Sequence, residues 1–414
     1  MSDQSLSDTI SVTQAVARKL KGVPLAFKMA AIAMTNIVEG QISVSLPDGR
    51  TLVFQGYKPG KSATLVIKDF GFIRRVAAQG DIGFAEGLMA GEWDTPDLAV
   101  LLEVFSGNLD LMPKLLLGGP LWMVINKFRH KFLKRNTKSG SKRNILAHYD
   151  LGNSFYARWL DPSMTYSSAV YMDAGEDLTS AQMNKYRALA EQVNLKPGHR
   201  VLEIGCGWGG FAEFAAREYG AHVTGVTISK EQHNYAVERL GRAGLSHLTD
   251  IQLTDYRDIQ GEFDAVVSIE MFEAVGEEYW PTYFDKVNSV LKPGGKAGLQ
   301  IITIDDRLFE EYRSRADFIQ SYVFPGGMLP TVPRLKQEIA RAGLVWQSTA
   351  AFGISYADTL AEWARSFLAE WIHIKDLGFD ERFRQLWRFY LAYCEAGFRT
   401  GRIDVGHFSM VKPT

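Results

Sequence analysis

The sequence predicts an α/β protein: a doubly wound sheet with helical insertions, preceded by a small α+β domain. From Leu178 onward, short apolar strands alternate with helices, which is the pattern of a parallel sheet with helical crossovers. A glycine-rich turn joins the first of these strands to a helix. Before residue 120, strands instead follow one another, with Pro47-Asp48-Gly49 as a hairpin-turn signal.

The N-terminal α+β domain is expected over residues 1–120. Residues 14–37 have a helical pattern that Gly22 and Pro24 divide into two helices. Strands are predicted at 41–46, 51–54 and 63–67, and helices at 70–78 and 98–105. A basic and apolar linker, residues 121–145, separates this domain from the rest of the chain.

The second domain is expected over residues 146–414. Its strands are predicted at 200–204, 222–227, 251–254, 263–269 and 296–302, and its helices at 181–192, 210–219 and 231–243. This alternation predicts a parallel sheet. The tail over 357–398 is predicted to be helical, and its many aromatic side chains are most simply interpreted as core.

Composition excludes several classes of protein. The chain has 414 residues, a formal net charge of −1 and 46% hydrophobic residues, which are values of a globular protein rather than a disordered one. Cys206 and Cys394 are the only cysteines, so there is neither a disulfide framework nor a cysteine-based zinc site. The histidines lack metal-ligand spacing, and we predict no metal. The near-zero charge argues against nucleic acid as a partner.

The charge is unevenly distributed. Residues 127–143 contain eight basic residues and no acidic one, and apolar residues including Trp122 precede them. Such a segment fits an anionic membrane surface, although a solvated linker is a simpler interpretation. The N-terminus lacks the pattern of a signal peptide, and no run is apolar enough to span a bilayer. A cytoplasmic protein, peripherally bound to the inner face of the membrane through 121–143, is therefore expected.

The segment Val-Leu-Glu-Ile-Gly-Cys-Gly-Trp-Gly-Gly at 201–210 carries the strongest functional signal. Its glycines, Gly205, Gly207 and Gly209, allow a ligand to approach the backbone closely. Their spacing overlaps the dinucleotide motif G-x-G-x-x-G but does not match it. Taken alone, a glycine-rich turn is weak evidence for a nucleotide.

Three neighbouring features strengthen it. Glu203 lies among the last residues of the strand before the turn, where a carboxylate can hold an amino group. The second strand ends in Thr227-Ile-Ser229, without the acid that would bind the ribose of NAD. Asp255 and Tyr256 follow the third strand, where a carboxylate and an aromatic ring could hold an adenine.

Segment 201–210 resembles the nucleotide motif of class I methyltransferases that use S-adenosylmethionine. Together with Gly-Val-Thr-Ile-Ser-Lys-Glu-Gln at 225–232, it resembles the cyclopropane fatty acid synthase family in particular. Further segments match that family in order: Ala90–Asp94 in the N-terminal domain of its phospholipid-acting members, His148–Asn153, Leu160–Ser167, Tyr322–Pro330 and Tyr390–Arg399.

The resemblance implies a cofactor, a substrate and a set of site residues. The cofactor would be S-adenosylmethionine, and the substrate an unsaturated phospholipid whose cis double bond attacks the sulfonium methyl and becomes a carbocation. A homodimer is also expected. The implied cofactor contacts are Tyr166, Ser167, Gly205, Gly207, Thr227, Gln232, Asp255 and Tyr256, to which the strand-end pattern adds Glu203, Gly209 and Ser229. The implied catalytic residues are Glu273, Tyr356 and Cys394.

The sequence departs from the family where the proton leaves the cation. In the family, a bicarbonate held by a glutamate, a histidine, a tyrosine and a cysteine is thought to take this proton. Here Ser168 replaces the cysteine, Gln300 replaces the histidine, and Ala274 replaces a second histidine after the glutamate. Gln300 can donate through its amide and Ser168 through its hydroxyl, but neither titrates near neutral pH. Bicarbonate therefore stays an open expectation.

Two products follow from this departure. Loss of a proton from a neighbouring carbon would give a methyl-branched, still unsaturated chain, which we favour over a cyclopropane ring. At the level of single residues, Glu273 could instead cap a helix and Cys394 could be a buried apolar residue. The whole chain could also be a Rossmann oxidoreductase, a small-molecule methyltransferase or a non-catalytic lipid-binding protein.

Overall fold

The computed structural model describes residues 9–108 and 151–414. The basic segment 121–143, the linker 121–145 that contains it, and His148 to Asp150 of one matching segment lie outside the described residues. Across the two described ranges, no helix is both long and apolar enough to cross a membrane.

The secondary structure of the described residues is as follows. The strands are β1 (Thr9–Ser11), β2 (Glu39–Ser45), β3 (Thr51–Gln55), β4 (Lys58–Ile67), β5 (Trp93–Asp94), β6 (Arg200–Ile204), β7 (His222–Thr227), β8 (Thr249–Leu253), β9 (Phe263–Ile269), β10 (Leu291–Ile304), β11 (Val345–Ala351) and β12 (Ile403–Val411). The helices are α1 (Gln14–Lys19), α2 (Leu25–Met34), α3 (Gly71–Gln79), α4 (Asp81–Met89), α5 (Leu98–Asn108), α6 (Asn153–Trp159), α7 (Leu178–Gln192), α8 (Gly210–Tyr219), α9 (Lys230–Arg242), α10 (Trp280–Val290), α11 (Phe309–Ser314), α12 (Val332–Arg341), α13 (Gly353–Ala369), α14 (Trp371–Lys375) and α15 (Glu381–Arg399). Single 3₁₀ turns occur at Tyr256–Asp258, Phe272–Ala274, Glu277–Tyr279 and Asp306–Leu308, and a π-helical turn at Ile319–Val323.

These elements form two compact units. Unit 1 comprises residues 9–108, 315–321 and 378–400, and unit 2 comprises 151–314, 322–377 and 401–414. The grouping differs from the sequence-based division in one respect, since α15 and residues 315–321 belong with the N-terminal residues. Aromatic packing within unit 1 explains this: the Phe389 ring of α15 lies 4.7 Å from that of Phe318 and 6.3 Å from that of Phe84 in α4.

Unit 1 is built on a five-stranded sheet with strand order β1-β3-β2-β4-β5. Strands β2 and β3 form the hairpin predicted around residues 47–49. Alternate residues of these strands, such as Ile42 and Phe54, are fully buried, as a sheet with one covered face requires. Trp93 anchors α4, because its ring stacks on Phe84 at 4.1 Å and its Nε1 donates to the Phe84 carbonyl at 2.9 Å.

Unit 2 is built on a seven-stranded sheet with strand order β11-β12-β10-β9-β6-β7-β8. The strands from β10 to β8 in this order are parallel to their neighbours, as predicted. The sheet also contains β12, which was not predicted as a strand and runs antiparallel to both β10 and β11. The sequence did not reveal β11 and β12 because their pairing is long-range and their pattern is not that of a buried strand.

Helices cover both faces of this sheet. On one face α7 and α8 pack on Val201, Val223 and Val267, and on the other α10 and α12 pack on Leu202, Ile204 and Val266. Adjacent residues of β6 thus point into opposite cores, which explains why the strand is apolar throughout and confirms the doubly wound α/β class. The predicted helical tail is three helices, interrupted at Glu370 and at Gly378, where φ is +102°.

Candidate functional site

Three predicted cofactor residues, and one glutamate that was not predicted, follow the carboxyl ends of adjacent parallel strands. Gly205 follows β6, Ser229 follows β7, Asp255 follows β8 and Glu270 follows β9. These strands are neighbours in the order β9-β6-β7-β8, so the four residues line one edge of the sheet. Ligands of open α/β sheets bind outside this edge. The fold therefore brings together segments that are up to 65 positions apart along the chain.

The glycine turn has the geometry of a ligand-binding loop. Gly205, Gly207 and Gly209 all have positive φ, at +82°, +52° and +82°. A Cβ on Gly205 would lie 2.7 Å from the Met271 side chain, and one on Gly209 would lie 3.1 Å from the Cβ of Ala236 in α9. At Gly207 no described atom lies within 4 Å of that position. Gly205 and Gly209 thus allow close packing, while Gly207 presents open backbone to a ligand.

The end of β7 is held by hydrogen bonds among predicted residues. The Thr227 hydroxyl donates to Gln232 Oε1 at 2.9 Å and accepts from the Ser229 backbone N–H at 3.2 Å. Ser229 also caps α9 by accepting from the Gln232 backbone N–H at 3.3 Å. All three side chains are buried, so this predicted part of the site is preorganised.

Asp255 is already engaged within the chain. Its carboxylate accepts from Arg257 Nε at 2.8 Å and from a terminal guanidinium nitrogen at 2.6 Å, and it caps the turn at Tyr256–Asp258. A ligand that bonds to Asp255 must therefore share it with Arg257. The neighbouring Tyr256 ring lies 5.4 Å from the Tyr283 ring, and burial raises the pKa of Tyr256 to about 12.

Tyr166 and Ser167 lie between an aromatic cluster and a buried cation. The Tyr166 ring lies 5.2 to 5.6 Å from the rings of Tyr156, Trp159 and Trp363. The Ser167 hydroxyl accepts a 2.6 Å hydrogen bond from the ammonium of Lys185, a fully buried residue on α7.

Burial lowers the pKa of Lys185 to about 7, against the opposing charges of Glu270, Asp161 and Glu203. A buried lysine among carboxylates makes this part of the site strongly electrostatic. Sequence reasoning missed Lys185, which the amphipathic pattern of α7 conceals.

Glu203 is 3% exposed, and burial raises its pKa well above the ordinary value. Its buried Oε2 has no hydrogen-bond partner among the described residues. An unpartnered buried oxygen is costly unless a ligand or water satisfies it. This unpartnered oxygen agrees with the prediction that Glu203 contacts the cofactor.

The predicted catalytic residues meet at a glutamate that sequence reasoning missed. Glu270 Oε1 accepts from the Ser168 backbone N–H at 2.8 Å and from Gln300 Nε2 at 2.7 Å, and Tyr356 Oη donates to Glu270 Oε2 at 2.6 Å. Ser168, Gln300 and Tyr356 are thus brought together as predicted. Ser168 does so through its backbone, because its hydroxyl donates to the Ala169 carbonyl at 2.9 Å, which corrects the expectation of a hydroxyl donor.

Gln300 is oriented by a second missed residue, His407 in β12. The Gln300 amide donates to Glu270 Oε1 and to the Ser168 carbonyl at 3.2 Å, so its own Oε1 faces His407 Nε2 at 2.9 Å. Burial lowers the pKa of His407 to about 3, which keeps the ring neutral with its proton on Nε2. The only sequence signal for Glu270 was its place directly after the apolar strand β9, and there was none for His407.

Glu273, the predicted catalytic glutamate, lies three residues beyond Glu270. Its Oε1 accepts from the Ile302 backbone N–H at 2.6 Å, and its buried Oε2 has no hydrogen-bond partner among the described residues. Burial, together with the charge of Glu270, raises the pKa of Glu273 to about 8. Glu273 is therefore protonated at neutral pH, and it does not cap a helix through its side chain.

Cys394 lies on α15 in unit 1, where it is partly exposed. The other predicted catalytic residues belong to unit 2. The catalytic role of Cys394 stays a prediction.

The arrangement fits S-adenosylmethionine and does not fit bicarbonate. Open backbone at Gly207 and the unpartnered Glu203 oxygen suit a cationic nucleotide at the sheet edge. In contrast, the Ser168 amide, Gln300 and Tyr356, which are the donors at positions assigned to bicarbonate, already bond to the carboxylate of Glu270.

Comparison with known proteins identifies consistent relatives. Residues 136–408 match the family model described as mycolic acid cyclopropane synthetase. The chain is 37% identical to the tuberculostearic acid methyltransferase UfaA1 of Mycobacterium tuberculosis, over 96% of this chain and 95% of that protein. It is also 37% identical to the cyclopropane-fatty-acyl-phospholipid synthase of Escherichia coli K12, over 83% of this chain and 86% of that protein.

A solved structure agrees with these sequence matches. The mycolic acid cyclopropane synthase CmaA1, complexed with SAH and CTAB, superposes with a TM-score of 0.62 at 29% identity, covering 68% of this chain and 99% of that protein.

Proposed function

The chain belongs to the mycolic acid cyclopropane synthetase family, and we propose that its product, within this family, is a methyl-branched, still unsaturated acyl chain. It is an S-adenosylmethionine-dependent methyltransferase that methylates double bonds of lipid acyl chains. The expected enzyme class and cofactor are thereby confirmed, and the oxidoreductase and the non-catalytic lipid-binding protein are set aside.

One observation carries the proposed product: a carboxylate of the protein itself occupies the catalytic hydrogen-bond donors. A bound bicarbonate ion can shift toward the carbocation, whereas three hydrogen bonds fix the position of the Glu270 carboxylate. The position of the base decides which hydrogen atom of the carbocation the base can remove, and therefore which product forms. The names of the two relatives also support this proposal. UfaA1, which matches nearly the whole chain, is named a methyltransferase, whereas the Escherichia coli protein, which matches less of it, is named a cyclopropane synthase.

The residues of the chain would divide the work as follows. S-adenosylmethionine supplies an electrophilic methyl group when bound. Gly205, Gly207 and the Thr227–Gln232 cluster would hold the nucleotide at the sheet edge, with Tyr166 and Asp255 beside it. The aromatic cluster around Tyr166 excludes water from the reacting double bond. Low polarity there strengthens the attraction between a developing cation and nearby carboxylates.

The substrate is proposed to be an unsaturated phospholipid at a membrane surface. The eight basic residues of 127–143, with the apolar residues before them, support contact with anionic lipid. Binding of the purified chain to vesicles of phosphatidylglycerol, and weaker binding to phosphatidylcholine or in high salt, is the expected result. Equal binding to both lipids would contradict it. A homodimer stays a proposal that analytical ultracentrifugation tests.

Product analysis tests the proposed function. The chain is expressed in a bacterial host that lacks its own cyclopropane synthase, and the fatty acids are isolated. The branched alkene and the cyclopropane have the same mass, so proton NMR must separate vinyl signals from upfield ring signals, and mild deuteration must label only the alkene. Vinyl signals on a chain lengthened by one carbon are expected. Ring signals without deuterium uptake would refute the proposed product.

A further inference from the structure

We propose that the side-chain carboxylate of Glu270 is the built-in base that removes the proton from the methylated acyl chain, in place of a bound bicarbonate ion. The inference rests on the proposed function for the existence of a cation, but not on which product forms. It gives a catalytic role to a residue that no sequence motif marks.

Three hydrogen-bond donors converge on the Glu270 carboxylate from different elements. They are the Ser168 backbone N–H from the segment before α7, Gln300 Nε2 from β10 and Tyr356 Oη from α13, at 2.6 to 2.8 Å. Donors in this arrangement recognise a planar, acid-derived anion. Ser168, Gln300 and Tyr356 are also the positions that the family resemblance assigned to the site of bicarbonate. The protein therefore supplies its own anion to these donors.

The backbone of Glu270 is held in an unfavourable conformation. Its φ is +49°, and it is one of three non-glycine residues among those described with positive φ. Such a conformation is costly for a residue with a Cβ and is typical of functional positions. The backbone N–H of Glu270 donates to the Gln300 carbonyl at 2.9 Å, and His407 fixes the Gln300 side chain. The surroundings therefore determine where the carboxylate points.

The electrostatic surroundings of Glu270 suit a base. Burial raises the pKa of Glu270, and the hydrogen bonds and the charge of Lys185 oppose this. A carboxylate with a raised pKa is a stronger base than one in water, which favours proton removal. Among the nearby titratable groups, Lys185 and Glu273 interact with the charge of Glu270, and Tyr356 donates to its carboxylate. Glu203, Asp161 and His407 interact with Lys185, and both Glu273 and His407 are neutral at pH 7.

The reaction balances with no further reactant. The π pair of the cis double bond forms the carbon–carbon bond to the methyl group, and the carbon–sulfur pair leaves with the sulfur as a thioether. For the branched product, Glu270 then takes a proton from a carbon beside the cation, and the released C–H pair becomes the new double bond. For a ring, the proton would instead come from the transferred methyl group, and the released pair would close the ring. The neutral carboxylic acid returns its proton to water before the next turnover.

Two substitutions at Glu270 separate a base from a structural residue. Glu270→Gln keeps the shape and removes the basic oxygen, so kcat is expected to fall by about 10²- to 10⁴-fold. Glu270→Gly relieves the positive φ and leaves the three donors free for a small anion. Its activity is expected to fall similarly in carbonate-free buffer and to recover, in part, with added bicarbonate or formate. Glu262→Gly, at an exposed loop position, is the matched control and is expected to behave as the unaltered protein.

Binding gives a second readout that does not depend on turnover. ¹³C-bicarbonate is titrated into each protein and its NMR line width is followed, while S-adenosylhomocysteine affinity by calorimetry reports folding. Line broadening is expected for Glu270→Gly only. If the unaltered protein binds bicarbonate and loses activity when carbonate is removed, the proposal is wrong. It is also wrong if Glu270→Gln retains full kcat.

These outcomes are distinct from those of the product test. A ring product from a carbonate-independent, Glu270-dependent enzyme would refute the proposed product and leave the base assignment standing. A branched product from an enzyme that needs carbonate would do the reverse.

Discussion

Glu273→Gln gives the sharpest physical prediction, because one buried carboxyl has a large and specific pKa change. In the folded protein, burial and the charge of Glu270 raise the pKa of Glu273 to about 8, against an ordinary value of 4.5. The folded state therefore holds a proton that the unfolded chain releases between these two values. Stability contributed by this group is complete below pH 4.5 and is lost as the pH rises toward 8.

The magnitude follows from the two pKa values. At 1.36 kcal/mol for each pH unit, the loss of stability between about pH 4.5 and 8 is on the order of 5 kcal/mol. Glutamine keeps the oxygen that accepts from the Ile302 backbone N–H and is neutral at every pH. The variant is therefore expected to match the unaltered protein near pH 5 and to exceed its melting temperature by roughly 5 °C at pH 9.

Differential scanning calorimetry from pH 5 to 9 measures this difference for the variant and for Glu262→Gln, a control at an exposed position. A constant offset between Glu273→Gln and the unaltered protein over the whole range would refute the reasoning. So would a variant that is less stable at pH 9, since that result requires an ionised Glu273 with stabilising partners.

Three further predictions concern the site. Tyr356→Phe removes a hydrogen-bond donor to the Glu270 carboxylate, and such a bond to a charged acceptor is worth about 1.5–3 kcal/mol. The acidic limb of the pH–rate profile should therefore move to higher pH by about 1–2 units. An unmoved limb would argue against Glu270 as the base. Gly207→Ala should cost about 1 kcal/mol of stability and weaken S-adenosylhomocysteine binding at least about tenfold by calorimetry. Gly220→Ala is the control, because Gly220 also has positive φ and open space around it. It should cost the same stability and leave the affinity unchanged. His407→Leu leaves the buried Oε1 of Gln300 without a hydrogen-bond donor, which should destabilise the protein by about 1–3 kcal/mol in urea titrations. It should also lower kcat while the KM for the methyl donor stays unchanged. A wild-type kcat would exclude a positioning role for His407.

The sequence by itself determined those elements that depend only on interactions between residues close together in the chain. The strands at 200–204, 222–227 and 263–269 and the helix at 210–219 agree with the structure to the residue, because periodicity and glycine punctuation specify them. The glycine turn indicated the nucleotide site for the same reason. Resemblance then identified Ser168, Gln300 and Tyr356, and the structure brings them together.

Tertiary structure alone decided how those residues are used. Gln300 and His407 lie on β10 and β12, and Glu270 directly follows β9. These three strands are adjacent only after the sheet forms, with β12 paired antiparallel across more than a hundred residues of chain. No local pattern records that pairing, and the polar side chains on it look like ordinary strand residues. Sequence therefore predicted that a methyl donor binds at this sheet edge. The fold decided which carboxylate meets the donors, because hydrogen-bond geometry and burial depend on contacts between distant segments.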